Sequence, residues 1–131
     1  LAKLLIVDDE SSLVLLMRAV LEKVGHTVTE AANGQEALAK LGVAPDEPSA
    51  PLPDLILLDV MMPILDGVGV AAALRGHPRA GRIPILIVTA KGDMRPLFEA
   101  MPQVAGFFQK PFTPAGLREA VARAVEAKPG A

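Results

Sequence analysis

Leu55-Ile56-Leu57-Leu58-Asp59 decides the fold: four apolar residues in a row, closed by an acid. The same construction stands at Leu4-Leu5-Ile6-Val7, closed by Asp8-Asp9, and at Ile85-Leu86-Ile87-Val88, closed by Thr89. None of these runs alternates apolar with polar residues, as a strand with one wet face would. An unbroken run fits a central parallel strand covered on both faces. Two more strand-like runs, Thr27 to Glu30 and Val104 to Phe108, are shorter or more mixed, and the second leads into Lys110-Pro111.

Helical patterns separate the runs. Leu13, Leu16, Met17, Val20, Leu21 and Val24 recur at i, i+3, i+4, i+7, and Gly25 stands where a helix would end. Asn33 with Glu36 reads as a capping box ahead of Ala37, Leu38 and Leu41. Asp66 can cap a helix from Gly67 to about Arg75, and Thr113-Pro114 supplies a cap and a first-turn proline before Leu117, Val121 and Val125. A fourth helix, near Asp93 to Met101, is interrupted by Pro96, which removes a hydrogen bond and clashes with the turn before it. Strand and helix thus alternate five times, which calls for a parallel sheet with helices on both faces and right-handed crossovers. Val43 to Pro53, with prolines at 45, 48, 51 and 53, reads as an extended surface loop. Residues 1–126 form one domain by this reading, and 127–131 a tail or the start of a linker.

The bulk numbers allow this and exclude much else. A chain of 131 residues with 51% hydrophobic and 21% charged residues can bury a core without staples. There is no cysteine, hence no disulfide framework or thiolate metal site, and a reducing cytoplasmic setting is compatible with that. A net charge of −2, with no basic run, argues against direct nucleic-acid binding. Four Phe with no Tyr or Trp leave little to stack single strands upon. No apolar stretch approaches the about 20 residues of a membrane span.

In open α/β sheets ligands bind outside the carboxyl ends of the strands. Asp8, Asp9, Asp59, Thr89 and Lys110 all stand at such ends. Clustered carboxylates either raise one another's pKa or hold a cation. With hard oxygens and no nearby His or Cys the cation is Mg2+, or Mn2+ in its place. A carboxylate can attack phosphorus, a lysine can neutralise the phosphoryl oxygens, and a threonine hydroxyl can donate to them. Each residue alone has a plainer reading. Asp8-Asp9 could serve the dipole of the following helix, Asp59 a turn, Thr89 a strand and Lys110 the solvated surface. His26 and His77 read as inert, and the Met61-Met62 pair as packing. The joint pattern at successive strand ends is what points to chemistry.

The segments Ile6-Val7-Asp8-Asp9-Glu10, Leu57-Leu58-Asp59-Val60-Met61-Met62-Pro63, Asp66-Gly67, Val88-Thr89-Ala90 and Lys110-Pro111-Phe112 resemble the receiver domain of two-component response regulators. The resemblance runs from Lys3 to about Glu126. It implies a flavodoxin-like doubly wound sheet of strand order 2-1-3-4-5. It implies that Asp59 is the phosphoacceptor, and that Asp9, Asp59, the Met61 carbonyl and, partly through water, Asp8 hold Mg2+. Lys110 would pair with the phosphoryl group, with a cis bond to Pro111. Thr89 and Phe107 would be the switch pair, and Gly67 would permit a tight turn into the third helix. The donor would be a histidine kinase or histidine phosphotransfer protein. The face of the fourth helix, fifth strand and fifth helix would meet an output domain, another partner or a second copy in a homodimer.

Three departures qualify the match. Val43 to Pro53 is longer than usual, the fourth helix is proline-interrupted and expected to be mobile, and Met61 and Lys91 stand where relatives carry groups that position hydrolytic water, so self-dephosphorylation is expected to be slow. Among rivals, a haloacid-dehalogenase-like phosphatase lacks its Asp-x-Asp and its cap here. A flavodoxin-like cofactor binder would want a Gly/Ser/Thr-rich first loop where acids stand. A degenerate receiver acting as a phosphorylation-independent docking module is the alternative: its usual mark is a lost acceptor, acid or lysine, all are present, and only a phosphorylation assay removes it. The chain is expected to be either a stand-alone receiver or one cut from a longer protein.

Overall fold

The structure, a computed structural model, describes residues 1–90, 98 and 101–126. Its strands are β1 (Lys3–Val7), β2 (Thr27–Ala31), β3 (Leu55–Leu58), β4 (Ile85–Thr89) and β5 (Val104–Gln109). Helices α1 (Ser11–Lys23), α2 (Gly34–Lys40) and α3 (Gly67–Leu74), a 3-10 turn at Ala80–Arg82 and a C-terminal helix, Pro114–Glu126, lie between and after them. The expected helix near Asp93 to Met101, apart from Phe98 and Met101, lies outside the described residues, as do Lys91 and the tail at 127–131.

All pairings are parallel and the sheet order is β2-β1-β3-β4-β5. β1, β3 and β4 are central, and almost every residue in them is buried, as their unbroken apolar runs require. Alternate side chains take opposite faces. Leu5, Val7, Ile56, Leu58, Ile85 and Ile87 pack under α2 and α3, on Leu38, Leu41, Val70, Leu74 and the wholly buried Phe98. Leu4, Ile6, Leu55, Leu57, Leu86 and Val88 pack under α1 and the C-terminal helix, on Val14, Met17, Leu21, Leu117 and Val121. A one-residue slip would exchange the two sets and carry the strand-end acids with them.

The helix ends follow local chemistry. Gly25, at φ +101°, closes α1: its N–H donates to Glu22 O, and that of His26 to Leu21 O. Asn33 accepts the Glu36 N–H at 2.9 Å, and Glu36 reaches back to the Ala32 N–H at 3.3 Å. Asp66 accepts from Gly69, and Thr113 Oγ1 from Gly116. The Lys110–Pro111 bond is cis, as is Ala44–Pro45.

Three sequence readings need correction, for α1, Met61 and the 43–53 loop, and one at Gly67 gains its physical reason. In α1 the buried stripe is Val14, Met17 and Leu21, while Leu16 and Val24 are exposed, because the helix is rotated to set Val14 on the sheet. Met61 does not pack: the residue is 57% exposed, while Met62 lies against the core. Gly67 has no left-handed backbone. A Cβ there would lie 2.4 Å from the Asp59 carbonyl oxygen, so it is the missing side chain that lets α3 start against the end of β3. Val43 to Pro53 is not extended but folded into turns, with Glu47 N–H on Gly42 O and Ala50 N–H on Glu47 O. Arg79 pins it through hydrogen bonds to Gly42 O at 3.0 Å, Glu47 O at 3.2 Å and Asp46 Oδ1 at 2.5 Å. His77 supports that anchor, its Nδ1 accepting the N–H groups of Arg79 and Ala80.

Arg79→Ala is therefore expected to cost about 1–2 kcal/mol in urea unfolding and to speed proteolytic cleavage within 43–53. Unchanged cleavage would show that the turns stand without the pin. Ile64 is β-branched, 75% exposed and at φ +71°, a conformation that strains any side chain. Ile64→Gly should stabilise the chain by about 1 kcal/mol, since relief of strain exceeds the glycine's extra unfolded entropy. A loss of stability in the same titration would contradict this.

Candidate functional site

The register of β1 and β3 builds the site. Val7 pairs with Leu58, and the ladder runs one step further through the Asp59 N–H to Val7 O at 2.9 Å. Asp8 and Asp59 therefore emerge side by side, 3% and 6% exposed. Sheet order reverses across these two strands, since β2 lies beyond β1 while β4 lies beyond β3, and such a reversal opens a crevice at the carboxyl edge. Asp9, in the turn toward α1, is exposed, yet one oxygen each of Asp8, Asp9 and Asp59 lie within 4.8 Å of one another. Neither aspartate caps α1, whose N-cap Glu10 makes no side-chain cap bond.

Lys110 enters from the end of β5. Its N–H donates to Thr89 O at 3.0 Å, tying the two strand ends together. Its ammonium lies 2.8 Å from Asp8 Oδ2, 3.5 Å from Glu10 Oε1 and 3.6 Å from Asp59 Oδ1. Thr89 is buried at the end of β4. Phe107 is half-buried, edge-on to Phe98 with ring centroids 6.4 Å apart, on the core under α2 and α3 rather than among the acids. Met61 follows two residues after Asp59 with its side chain turned to solvent. The acids and the lysine thus converge, Thr89 borders them through its carbonyl, and Phe107 stands apart.

Glu10 carried no assigned role in the sequence, yet it touches the site twice. Its N–H donates to Asp8 Oδ1 at 2.9 Å, and its carboxylate approaches Lys110. The signal was there: a third acid directly after Asp8-Asp9. The histidines serve as backbone acceptors, His26 Nδ1 taking the Ala2 N–H and His77 capping the 3-10 turn.

Asp8, Glu10 and Asp59 share the ammonium of Lys110, and the strain of that sharing shows in the proton affinities. Burial, then the Asp8 charge, push the Asp59 carboxyl up to about 6 against the pull of Lys110 and the Val60 N–H. For Lys110 burial is the largest single influence and pulls downward. The hydrogen bond and charge of Asp8, with Asp59 and Glu10, outweigh it and raise the ammonium's pKa. Such a group of acids suits a small divalent cation. Its ligands are all hard oxygens, one each from Asp8, Asp9 and Asp59 within 4.8 Å of one another, the donor set that Mg2+ prefers.

Comparisons with known proteins agree with this geometry. A profile of the response regulator receiver domain matches residues 4–122. Over 91 residues the chain is 44% identical to the alkaline phosphatase synthesis transcriptional regulatory protein PhoP of Bacillus subtilis, a match covering 70% of this chain and 34% of that protein. The chain spans less than half the length of the curated relatives it matches. Chemotaxis protein CheY4 of Vibrio cholerae superposes with a TM-score of 0.81 at 31% identity, covering 95% of this chain and 98% of that one. TrrA of Thermotoga maritima, solved in complex with Mg(2+)-BeF, superposes at 0.78 with 27% identity, covering 95% and 99%.

Asp59 should make stability pH-dependent. Between about pH 4 and about pH 6 the unfolded carboxyl is ionised while the folded one keeps its proton, so the fold binds more protons and loses stability as pH rises. In metal-free buffer this carboxyl should cost on the order of 2–3 kcal/mol across that window. Asp59→Asn should abolish the loss and be the more stable protein at about pH 8 in urea titrations. Parallel pH profiles for the two proteins would refute it.

Proposed function

The chain belongs to the response regulator receiver family of two-component systems, and on that premise we propose that Asp59 accepts a phosphoryl group from a phosphohistidine. The observation that carries the proposal is a buried carboxylate, basic for its kind, set 3.6 Å from a lysine ammonium and beside two further acids. With a pKa of about 6, Asp59 is mostly ionised near neutrality yet more basic than a free carboxylate, which favours attack on phosphorus. The P–N bond of the donor breaks as the P–O bond to Asp59 forms, and the donor histidine leaves as imidazole with a proton from solvent. Lys110 neutralises charge on the transferring oxygens, and the Thr89 hydroxyl donates to one of them in the product.

Asp8, Asp9, Asp59 and the Met61 carbonyl would hold Mg2+, or Mn2+ in its place. When bound, the cation offsets the mutual repulsion of the acids and the charge of the phosphoryl oxygens. TrrA, which binds Mg(2+)-BeF on the same fold, supports this choice.

The donor is a histidine kinase or histidine phosphotransfer protein, and residues 1–126 are the receiver unit. Phosphorylation adds charge beside Thr89, and Thr89 and Phe107 relay it as a shift between two packings of the face around β5 and the C-terminal helix. Phe107 lies on β5 and packs edge-on to Phe98 and against the core, which makes it a suitable relay. That face meets an output domain or partner, or a second copy of the chain. With Met61 exposed beside the acceptor, no carboxylate or amide at that position orients water, so the phosphoryl group should be long-lived. Among the described residues no helix is long and apolar enough to cross a membrane.

Incubation with Mg2+ and acetyl phosphate should add one phosphoryl group by intact mass, and removal of Mg2+ or the change Asp59→Asn should abolish it. An adduct that persists in Asp59→Asn would place the acceptor elsewhere. Lys110→Ala should slow the reaction by about 100-fold, the scale of losing one charge-stabilising donor. An unchanged rate would remove Lys110 from the chemistry.

A further inference from the structure

Asp8 is the most fully committed carboxylate of the site. Its Oδ1 accepts the Glu10 N–H at 2.9 Å and its Oδ2 holds the Lys110 ammonium at 2.8 Å. Its side chain is 2% exposed. A cation that draws on Asp8 must share an oxygen with one of these partners or displace it. The Glu10 N–H is part of the backbone leading into α1 and stays. The ammonium ends a flexible four-carbon stem and repels a divalent cation, so Lys110 is the partner that moves.

Two other carboxylates lie within its reach, Glu10 at 3.5 Å and Asp59 at 3.6 Å. Asp59 belongs with Asp8 and Asp9 to the set that would face the cation. Glu10 does not, and its side chain is 61% exposed and able to follow the lysine. We propose that Glu10 is a positioning residue for Lys110: cation binding at Asp8 passes the ammonium from Asp8 to Glu10, which keeps it beside Asp59. This rests on the reading of the acids as a cation site and of Asp59 as acceptor, and it deepens that reading. Glu10 then eases cation binding by taking the charge that Asp8 releases, and it stations the ammonium where phosphoryl oxygens arrive. Because the new pair is solvent-exposed it is worth up to about 1 kcal/mol, or about fivefold in affinity.

Glu10 also attracts a cation by its own charge, and the two effects separate in a double-mutant cycle. Mg2+ binding is measured by calorimetry for the native chain, Glu10→Gln, Lys110→Met and the double variant. Glu10→Gln leaves the backbone N–H on Asp8 in place. It should weaken binding about fivefold in the native background. Lys110→Met, which frees Asp8 Oδ2 and removes a like charge, should tighten binding about tenfold. The double variant should match Lys110→Met within about twofold. If Lys110→Met fails to unfold cooperatively, Lys110→Gln takes its place. In lysine-labelled protein the Lys110 ε-methylene resonance should shift on Mg2+ addition, and to a different position in Glu10→Gln. Equal weakening by Glu10→Gln with and without the lysine would reduce Glu10 to a surface charge and overturn the proposal. So would an unaltered lysine shift. A native chain that takes up no Mg2+ would overturn the cation site itself, and this proposal with it, an outcome visible before any variant is made.

Discussion

The parallel pairing of β1 with β3 is the constraint on which the rest depends. It seats Val7 against Leu58 and forces Asp8 and Asp59 to leave the sheet abreast, both nearly buried. Two carboxylates that close in a poorly solvated place cannot both ionise at ordinary cost. Their company is imposed by the same alternation that fills the two cores. If β3 slipped by one residue to separate the acids, Leu58 would move to the wrong face and the packing under α2 and α3 would be lost. The fold and the electrostatic conflict are thus one arrangement.

Lys110 is what makes that arrangement tolerable. It arrives from the far side of β4, and its N–H on Thr89 O fixes where the side chain can reach. A single ammonium among three carboxylates lowers the cost without removing it, which is why burial and Asp8 still hold the Asp59 carboxyl at about 6. The site keeps an unmet demand for positive charge. A site that was fully neutralised would have little affinity for a cation, whereas this cluster of acids stands to gain from one. Gly67 serves the same end by geometry, since only a residue without Cβ lets α3 begin against the Asp59 carbonyl.

Most of this was legible in the residues, and for physical reasons. Unbroken apolar runs identify central strands because two cores must be filled. Asp66, Asn33, Thr113 and Gly25 mark helix ends because backbone groups there lack partners, and each makes the bond its chemistry offers. What escaped depends on the third dimension. Helix α1 offers apolar residues around most of its circumference, so periodicity could not tell whether Leu16 or Val14 meets the sheet. Prolines at 45, 48, 51 and 53 ruled out regular structure but could not show that Arg79, far along the chain, would gather the segment into turns. Glu10 looked like one more acid until the path of Lys110 was known.

The two ends of the sheet are held on different terms. At the carboxyl edge three carboxylates crowd one ammonium. At the opposite edge the connections are tied by hydrogen bonds: Arg79 to the 43–53 turns, His77 to the 3-10 turn, and the buried Gln103 amide to Ala80 O at 2.8 Å. Gln103 O in turn accepts the Ile85 N–H where β4 begins, so the anchor reaches into the strand that ends at Thr89. A domain built this way can change its charge at one end while its strands keep their register at the other. The conflict of charge is then confined to the end where Asp8, Asp59 and Lys110 meet, away from the edge where the connections are tied.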